Sequence, residues 1–160
     1  TGESLIGDEP FAVILADDLC DCSEDNVTSQ LIKLYNQYQC SIVAIEEVPI
    51  DQTNRYGIIA GNPLNNSKYI YQVSNMVEKP ESKDAPSNMA IIGRYVLTPD
   101  IFNILRNIAP GKNGEIQITD ALNIQAKNNK VIACKFKGKR FDCGSVNGYL
   151  EANNYFAKKL

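Results

Sequence analysis

The sequence predicts a Rossmann-like α/β fold: a mixed, mostly parallel sheet flanked by helices, with an inserted β-hairpin region. Three observations carry this reading. The runs Phe11 to Ala16 and Ser41 to Val48 are apolar and β-branched at their centres, the pattern of strands buried on both faces, as in parallel sheets. Between them Val27, Leu31, Leu34, Tyr35 and Tyr38 recur at helical spacing, so the three segments read as one βαβ unit. From Pro49 to Pro86 the pattern changes to short strands around a turn-rich stretch, which reads as an antiparallel hairpin.

Taken in order, the first strand stops at Asp17-Asp18, the first helix runs from about Asp25 to Gln39, and the second strand follows at Ser41. The hairpin strands are Tyr56 to Ala60 and Tyr69 to Glu78, joined through Gly61-Asn-Pro-Leu-Asn-Asn-Ser67. Asn88 to Leu97 is a further strand, and Thr98-Pro99 opens a helix through about Asn107, with proline at its first position. Gly111 to Gly114 is a loop. Ile118, Ala121, Leu122, Ile124, Gln125 and Ala126 mark the next helix, and Val131 to Lys137 the next strand. Ser145 caps a last helix carrying Val146, Tyr149, Leu150, Ala152 and Tyr155. No repeat, charge block or linker interrupts the series, so residues 1–160 read as a single domain. Meeting a strand of central type directly after Thr1-Gly-Glu-Ser predicts that N-terminal strands are missing. No G-x-G-x-x-G or P-loop follows it.

Composition narrows the chemistry. At 44% hydrophobic and 22% charged, the 160 residues suit a packed globular domain rather than a disordered or fibrous chain. A net charge of −3 is the wrong sign for a domain that lives on nucleic acid phosphates. There is no histidine, which excludes Ser-His-Asp and Cys-His catalysis and His-ligated zinc. Five cysteines, an odd number without a CxxC, fit reduced thiols and a cytoplasmic location; Cys20-x-Cys22 has no second pair to complete a metal site. No apolar run approaches the ~18 residues of a membrane span, so no membrane partner is expected.

The candidate site residues stand at strand ends, where open α/β sheets bind ligands. Asp17 is a candidate hard-metal ligand, or else Asp17-Asp18 caps a turn or the next helix. Asp142, in Phe141-Asp142-Cys143-Gly144, could join it on Mg2+, or simply place negative charge at a helix N-terminus. Glu78-Lys79-Pro80 sets an acid and a base at one strand end. That suits a sugar phosphate, the carboxylate accepting from hydroxyls and the ammonium facing phosphate; the other reading is a surface ion pair. Gly57, after Tyr56, permits close backbone approach to a ligand, or marks a turn or bulge.

Together, Phe11-Ala-Val-Ile-Leu-Ala-Asp-Asp18, Arg55-Tyr-Gly-Ile58, Met76-Val-Glu-Lys-Pro80, Ala85-Pro-Ser-Asn88, Ile92-Gly-Arg-Tyr-Val-Leu97, Gly114-Glu-Ile-Gln-Ile-Thr-Asp120 and Lys137-Gly-Lys-Arg-Phe-Asp-Cys-Gly144 resemble the bacterial UDP-glucose pyrophosphorylases, or UTP:glucose-1-phosphate uridylyltransferases. The resemblance implies the nucleotide-diphospho-sugar transferase fold, and a nucleotidyltransferase of carbohydrate metabolism that makes UDP-glucose and pyrophosphate from UTP and glucose 1-phosphate with Mg2+. Residue by residue, it implies that Asp17 and Asp142 bind the metal, that Gly57 and Glu78 hold glucose hydroxyls, and that Lys79 meets the sugar phosphate. Asp17, Lys79 and Asp142 would thus carry the catalysis. Main chain near Ile91 to Gly93 would also approach the sugar, while Thr119 and Asp120 look structural. The family's G-x-G-T-R loop and P-K motif are absent, so the chain resembles the C-terminal, sugar-side portion. Ala16 stands where many relatives have proline. The family is commonly oligomeric, so a homo-oligomer is expected. Two rivals stay open: a non-catalytic sugar-nucleotide-binding or assembly module, and a sugar nucleotidyltransferase with another base preference.

Overall fold

The computed structural model describes residues 2–111 and 114–159. Two residues of the expected Gly111–Gly114 loop, and Thr1, lie outside them. The elements are α1 (Glu3–Ile6), β1 (Phe11–Ile14), β2 (Asp18–Asp21), α2 (Val27–Tyr38), β3 (Ser41–Glu47), β4 (Gly57–Pro63), β5 (Ile70–Glu78), β6 (Met89–Leu97), α3 (Asp100–Asn107), α4 (Ile118–Lys127), β7 (Val131–Lys135), β8 (Lys139–Asp142) and α5 (Val146–Ala157). A 3₁₀ turn, Ile50–Arg55, leads into β4.

Six strands form one mixed sheet in the order β1-β6-β3-β7-β5-β4, and β2 and β8 form a separate two-stranded ladder. The α/β class and the mixed sheet are as expected, but "mostly parallel" is not. Only β3 and β7 run parallel; every other described pairing is antiparallel. The reason lies in β6, which enters between β1 and β3 antiparallel to both and so splits the expected βαβ unit. The hairpin is present, yet it is not a separate insertion, because β5 pairs with β7 and β4 also bridges to β6 through Ile58–Ala90.

Burial follows the pairing. β3 lies inside the sheet, and its first five residues are all buried. Ile42 and Ala44 face α2 with Val27, Leu31, Ile92 and Ile132, while Val43 and Ile45 face the layer containing Ile101 of α3 and Leu122 of α4. By contrast, β1 alternates between half-buried and exposed, and Ile14 is 57% exposed. The expectation of a doubly buried first strand is therefore corrected: β6 is its one partner among the described residues, with Phe102 of α3 stacked on Phe11 at 5.0 Å. Two of the helices are capped at their N-termini by side chains. Asn26 accepts from the Ser29 amide at the start of α2, and Ser145 accepts from the Gly148 amide at the start of α5. Thr98 does not cap α3; its hydroxyl pairs with Ser41 and accepts from the buried Gln125.

Candidate active site

The ends of β4, β5 and β8, the middle of β6, the segment after β1 and the start of α4 surround one cleft of about 350 Å3. Asp17, Gly57, Glu78, Lys79 and Asp142 all line it, so every residue singled out from the sequence arrives in one place. Ile91 and Gly93 line it too, as does Thr119, for which only a structural role is expected from the sequence. Glu115 is not among its lining residues; it accepts a hydrogen bond from Gln117 at 3.0 Å.

Pairing of β2 with β8 builds the acidic corner. Its register sets Asp18 opposite Asp142, and the Cys143 amide donates to the Asp17 carbonyl at 2.8 Å. A β-carbon added to Gly144 would lie 2.9 Å from Asp17 Oδ2 and 3.2 Å from Asp142 Oδ1, so both carboxylates reach the same point. The other Asp142 oxygen accepts from Arg55 at 2.9 Å and from the Tyr56 hydroxyl at 3.1 Å. Two converging carboxylates fit a hard divalent cation that takes its remaining ligands from water and phosphate. Among the described residues no group of three or more His, Cys, Asp or Glu could form a closed protein cage.

The two adjacent aspartates do different work. Asp17 is exposed, whereas Asp18 is buried, accepts from the Gly93 amide at 2.6 Å and pairs with Arg140. Arg140 in turn reaches Glu46 at 2.5 Å and packs against the Tyr56 ring at 5.2 Å. Burial alone would favour its neutral form, but its contact with Tyr56 and the charges of Asp18 and Glu46 outweigh that and hold its pKa above the ordinary value. A charged staple, invisible in the sequence because its halves are 122 residues apart, thus fixes β8 against β2 and β3.

The opposite wall carries Glu78 and Lys79. Glu78 Oε2 accepts from the Thr119 hydroxyl at 2.6 Å, and its other oxygen lies 3.7 Å from the Lys79 ammonium. Lys79 sits at φ 44°, in the left-handed region, with its amide tied to the Tyr56 carbonyl at 3.0 Å; its side chain is half exposed to the cleft. Gly57 faces Glu78 across the β4–β5 ladder. A β-carbon there would stand 2.9 Å from Thr119 Oγ1 and 3.2 Å from Glu78 Oε2, inside their hydrogen bond. Glycine leaves that space, and the adjacent backbone, open to a ligand. Tyr95 closes the floor, its hydroxyl pushed up to about 12 by burial and by the nearby charges of Glu78 and Asp18. The cleft thus sets a carboxylate beside an ammonium group on one wall and two converging carboxylates on the other, in one continuous space.

The model of the family described as "Nucleotidyl transferase" matches residues 1–159. A UTP–glucose-1-phosphate uridylyltransferase of Pseudomonas aeruginosa is 60% identical over 161 residues, covering 100% of this chain and 57% of that protein. Among solved structures, a UDP-glucose pyrophosphorylase complexed with UDP-glucose superposes with a TM-score of 0.94 at 59% identity, covering 99% of this chain and 60% of that one. A UTP-bound enzyme of the same kind from Acinetobacter baumannii gives 0.85 at 36% identity, over 99% of this chain and 54% of that one. The chain therefore spans a little over half the length of the relatives it matches.

Proposed function

Since the chain belongs to the nucleotidyl transferase family, we propose that it carries the sugar-phosphate and metal site of a uridylyltransferase making UDP-glucose and pyrophosphate from UTP and glucose 1-phosphate. The observation that carries this reading is the meeting of Asp17, Gly57, Glu78, Lys79 and Asp142 in one cleft, together with relatives whose names specify that reaction. It includes one domain, a cytoplasmic location suited to the free thiols, and a homo-oligomer, for which the exposed Val146, Tyr149 and Leu150 of α5 supply apolar surface.

In this mechanism a phosphate oxygen of glucose 1-phosphate attacks the α-phosphorus of UTP in line, the bond to the bridging oxygen breaks, and pyrophosphate leaves with the electron pair. The nucleophile is already ionised at neutral pH, so the protein needs to position and neutralise charge rather than remove a proton. Glu78, held by Thr119, accepts from sugar hydroxyls, and the Gly57 backbone lets the ring approach. Lys79, whose backbone is fixed by Tyr56, places its ammonium on the attacking phosphate. Asp17 and Asp142 would hold Mg2+, which when bound supplies positive charge to the phosphates.

Pyrophosphate release from UTP, glucose 1-phosphate and Mg2+, measured on the full protein encoded by the reading frame, tests the reaction. Activity with UTP is expected, and Asp17→Asn should lower kcat at least a hundredfold. Lys79→Ala should raise KM for glucose 1-phosphate far more than for UTP; equal loss on both substrates sinks its assigned role. Turnover with another nucleotide alone would move the base preference. UDP-glucose binding without turnover of any nucleotide would favour a binding module.

A further inference from the structure

Asp142 divides its two oxygens between different tasks. Oδ1 faces Asp17 Oδ2 over Gly144, and Oδ2 is taken by Arg55 and Tyr56. Two carboxylates so arranged repel each other unless a positive charge lies beside them. Among the described residues Asp17 has no ion pair, and Arg55 is the cation paired with Asp142.

Arg55 is unlike the other arginine of the cleft. Arg140 has a side chain only 7% exposed and is shared between Asp18 and Glu46. Arg55 is 48% exposed, ends the 3₁₀ turn before β4, and binds its carboxylate through a single nitrogen. Its guanidinium lies 5.6 Å from the ring of Tyr56, which keeps it beside the cleft whether or not the hydrogen bond is made. Half-exposed single-bond pairs of this kind are weak and exchange readily. The Tyr56 hydroxyl would continue to hold Oδ2 once Arg55 departs.

We propose that Arg55 is a positioning residue that stands in for the divalent cation: it neutralises Asp142 while the cleft is empty and competes with a free cation for that carboxylate. This rests on the reading of Asp17 and Asp142 as metal ligands. The consequence is a dependence of cation binding on the anionic ligand. A free cation must enter against the charge of Arg55, whereas a cation arriving with phosphates brings the negative charge that offsets it. Arg55 thereby favours loading of cation and nucleotide sugar together over loading of cation alone.

The sign of one affinity change decides the matter. Free Mn2+ is titrated against the full protein by electron paramagnetic resonance, with and without UDP-glucose, in wild type, Arg55→Gln, Arg55→Lys and Asp142→Asn. Removing a guanidinium charge near a divalent ion at a solvated site should tighten binding of free Mn2+ on the order of tenfold. Arg55→Gln is expected to show that gain without UDP-glucose and a smaller gain with it, while Arg55→Lys returns toward wild type. Unchanged or weaker Mn2+ binding in Arg55→Gln overturns the proposal, because a guanidinium that merely organises Asp142 gives that result. If Asp142→Asn binds Mn2+ as wild type does, the metal reading itself fails and the proposal with it, a pattern distinct from failure of Arg55 alone.

Discussion

At the scale of single residues, the site depends on side chains that hold other side chains. Thr119 donates to Glu78 across 41 residues of sequence, and Gly57 leaves just enough room for that bond. Replacing Thr119 with valine keeps the shape and removes the donor, leaving a largely buried carboxylate oxygen short of a partner at a cost of about 1–3 kcal/mol. Thr119→Val should therefore lower the urea midpoint and raise KM for glucose 1-phosphate several-fold, with KM for UTP unchanged and Thr119→Ser restoring both losses. An unaltered sugar-phosphate KM would remove Thr119 from the positioning of Glu78. The same distinction explains what could be read in advance. Asp17, Glu78, Lys79 and Asp142 were legible because a charge at a strand end is a local pattern. Thr119, Arg55 and Arg140 were not, because their meaning comes from partners 41, 87 and 122 residues away.

At the scale of elements, the acidic corner is assembled by the β2–β8 ladder and pressed into place by α5. Neither short strand was expected: Asp18–Asp21 is half polar, Lys139–Asp142 is mostly polar, and both lack the apolar run that announces β3. β1 was overread for the opposite reason, since its apolar run implies two covered faces while its place beside β6 leaves alternate residues exposed. The long helices and β3 to β7 were legible because burial on one stripe or both faces writes itself into spacing. The contact of α5 with β8 gives a prediction whose sign separates local propensity from packing. Gly148 lies in the first turn of α5, where alanine would ordinarily stabilise the helix by about 1 kcal/mol. Here an added β-carbon would meet the Asp142 carbonyl oxygen at 2.0 Å, a backbone atom that cannot rotate away. Gly148→Ala is thus expected to destabilise the protein by about 1–3 kcal/mol in urea unfolding and to weaken Mn2+ binding as β8 is displaced. A raised midpoint would show that α5 can shift without disturbing Asp142.

At the scale of the whole molecule, the absence of histidine leaves no side chain with an ordinary pKa near neutrality, so the pH dependence of folding is set at its edges. The alkaline edge is the informative one. Burial pushes the thiols of Cys20 and Cys134 up from 9.0 to about 11, Cys20 also feeling Arg94, which opposes the shift. Both therefore stay protonated in the native state at pH values where the unfolded chain has begun to release the same protons. Between about pH 9 and 11 the unfolded state binds fewer protons than the native state, so stability falls as pH rises and is fully present below pH 9. Lys135, raised by its hydrogen bond to Glu47, and Lys159, raised by its hydrogen bond to Asp21, extend the loss above 10.5, although both are too solvated to weigh heavily. Urea midpoints measured from pH 7 to 11 should be level to about pH 9 and then decline. The double variant Cys20→Ala/Cys134→Ala should start lower, because burial is lost, yet decline less steeply over the same range. A parallel decline in the double variant would assign the alkaline edge to the other groups that the fold holds protonated, the buried Tyr95 hydroxyl first among them. A level profile through pH 11 would mean that neither thiol is kept from ionising by the fold.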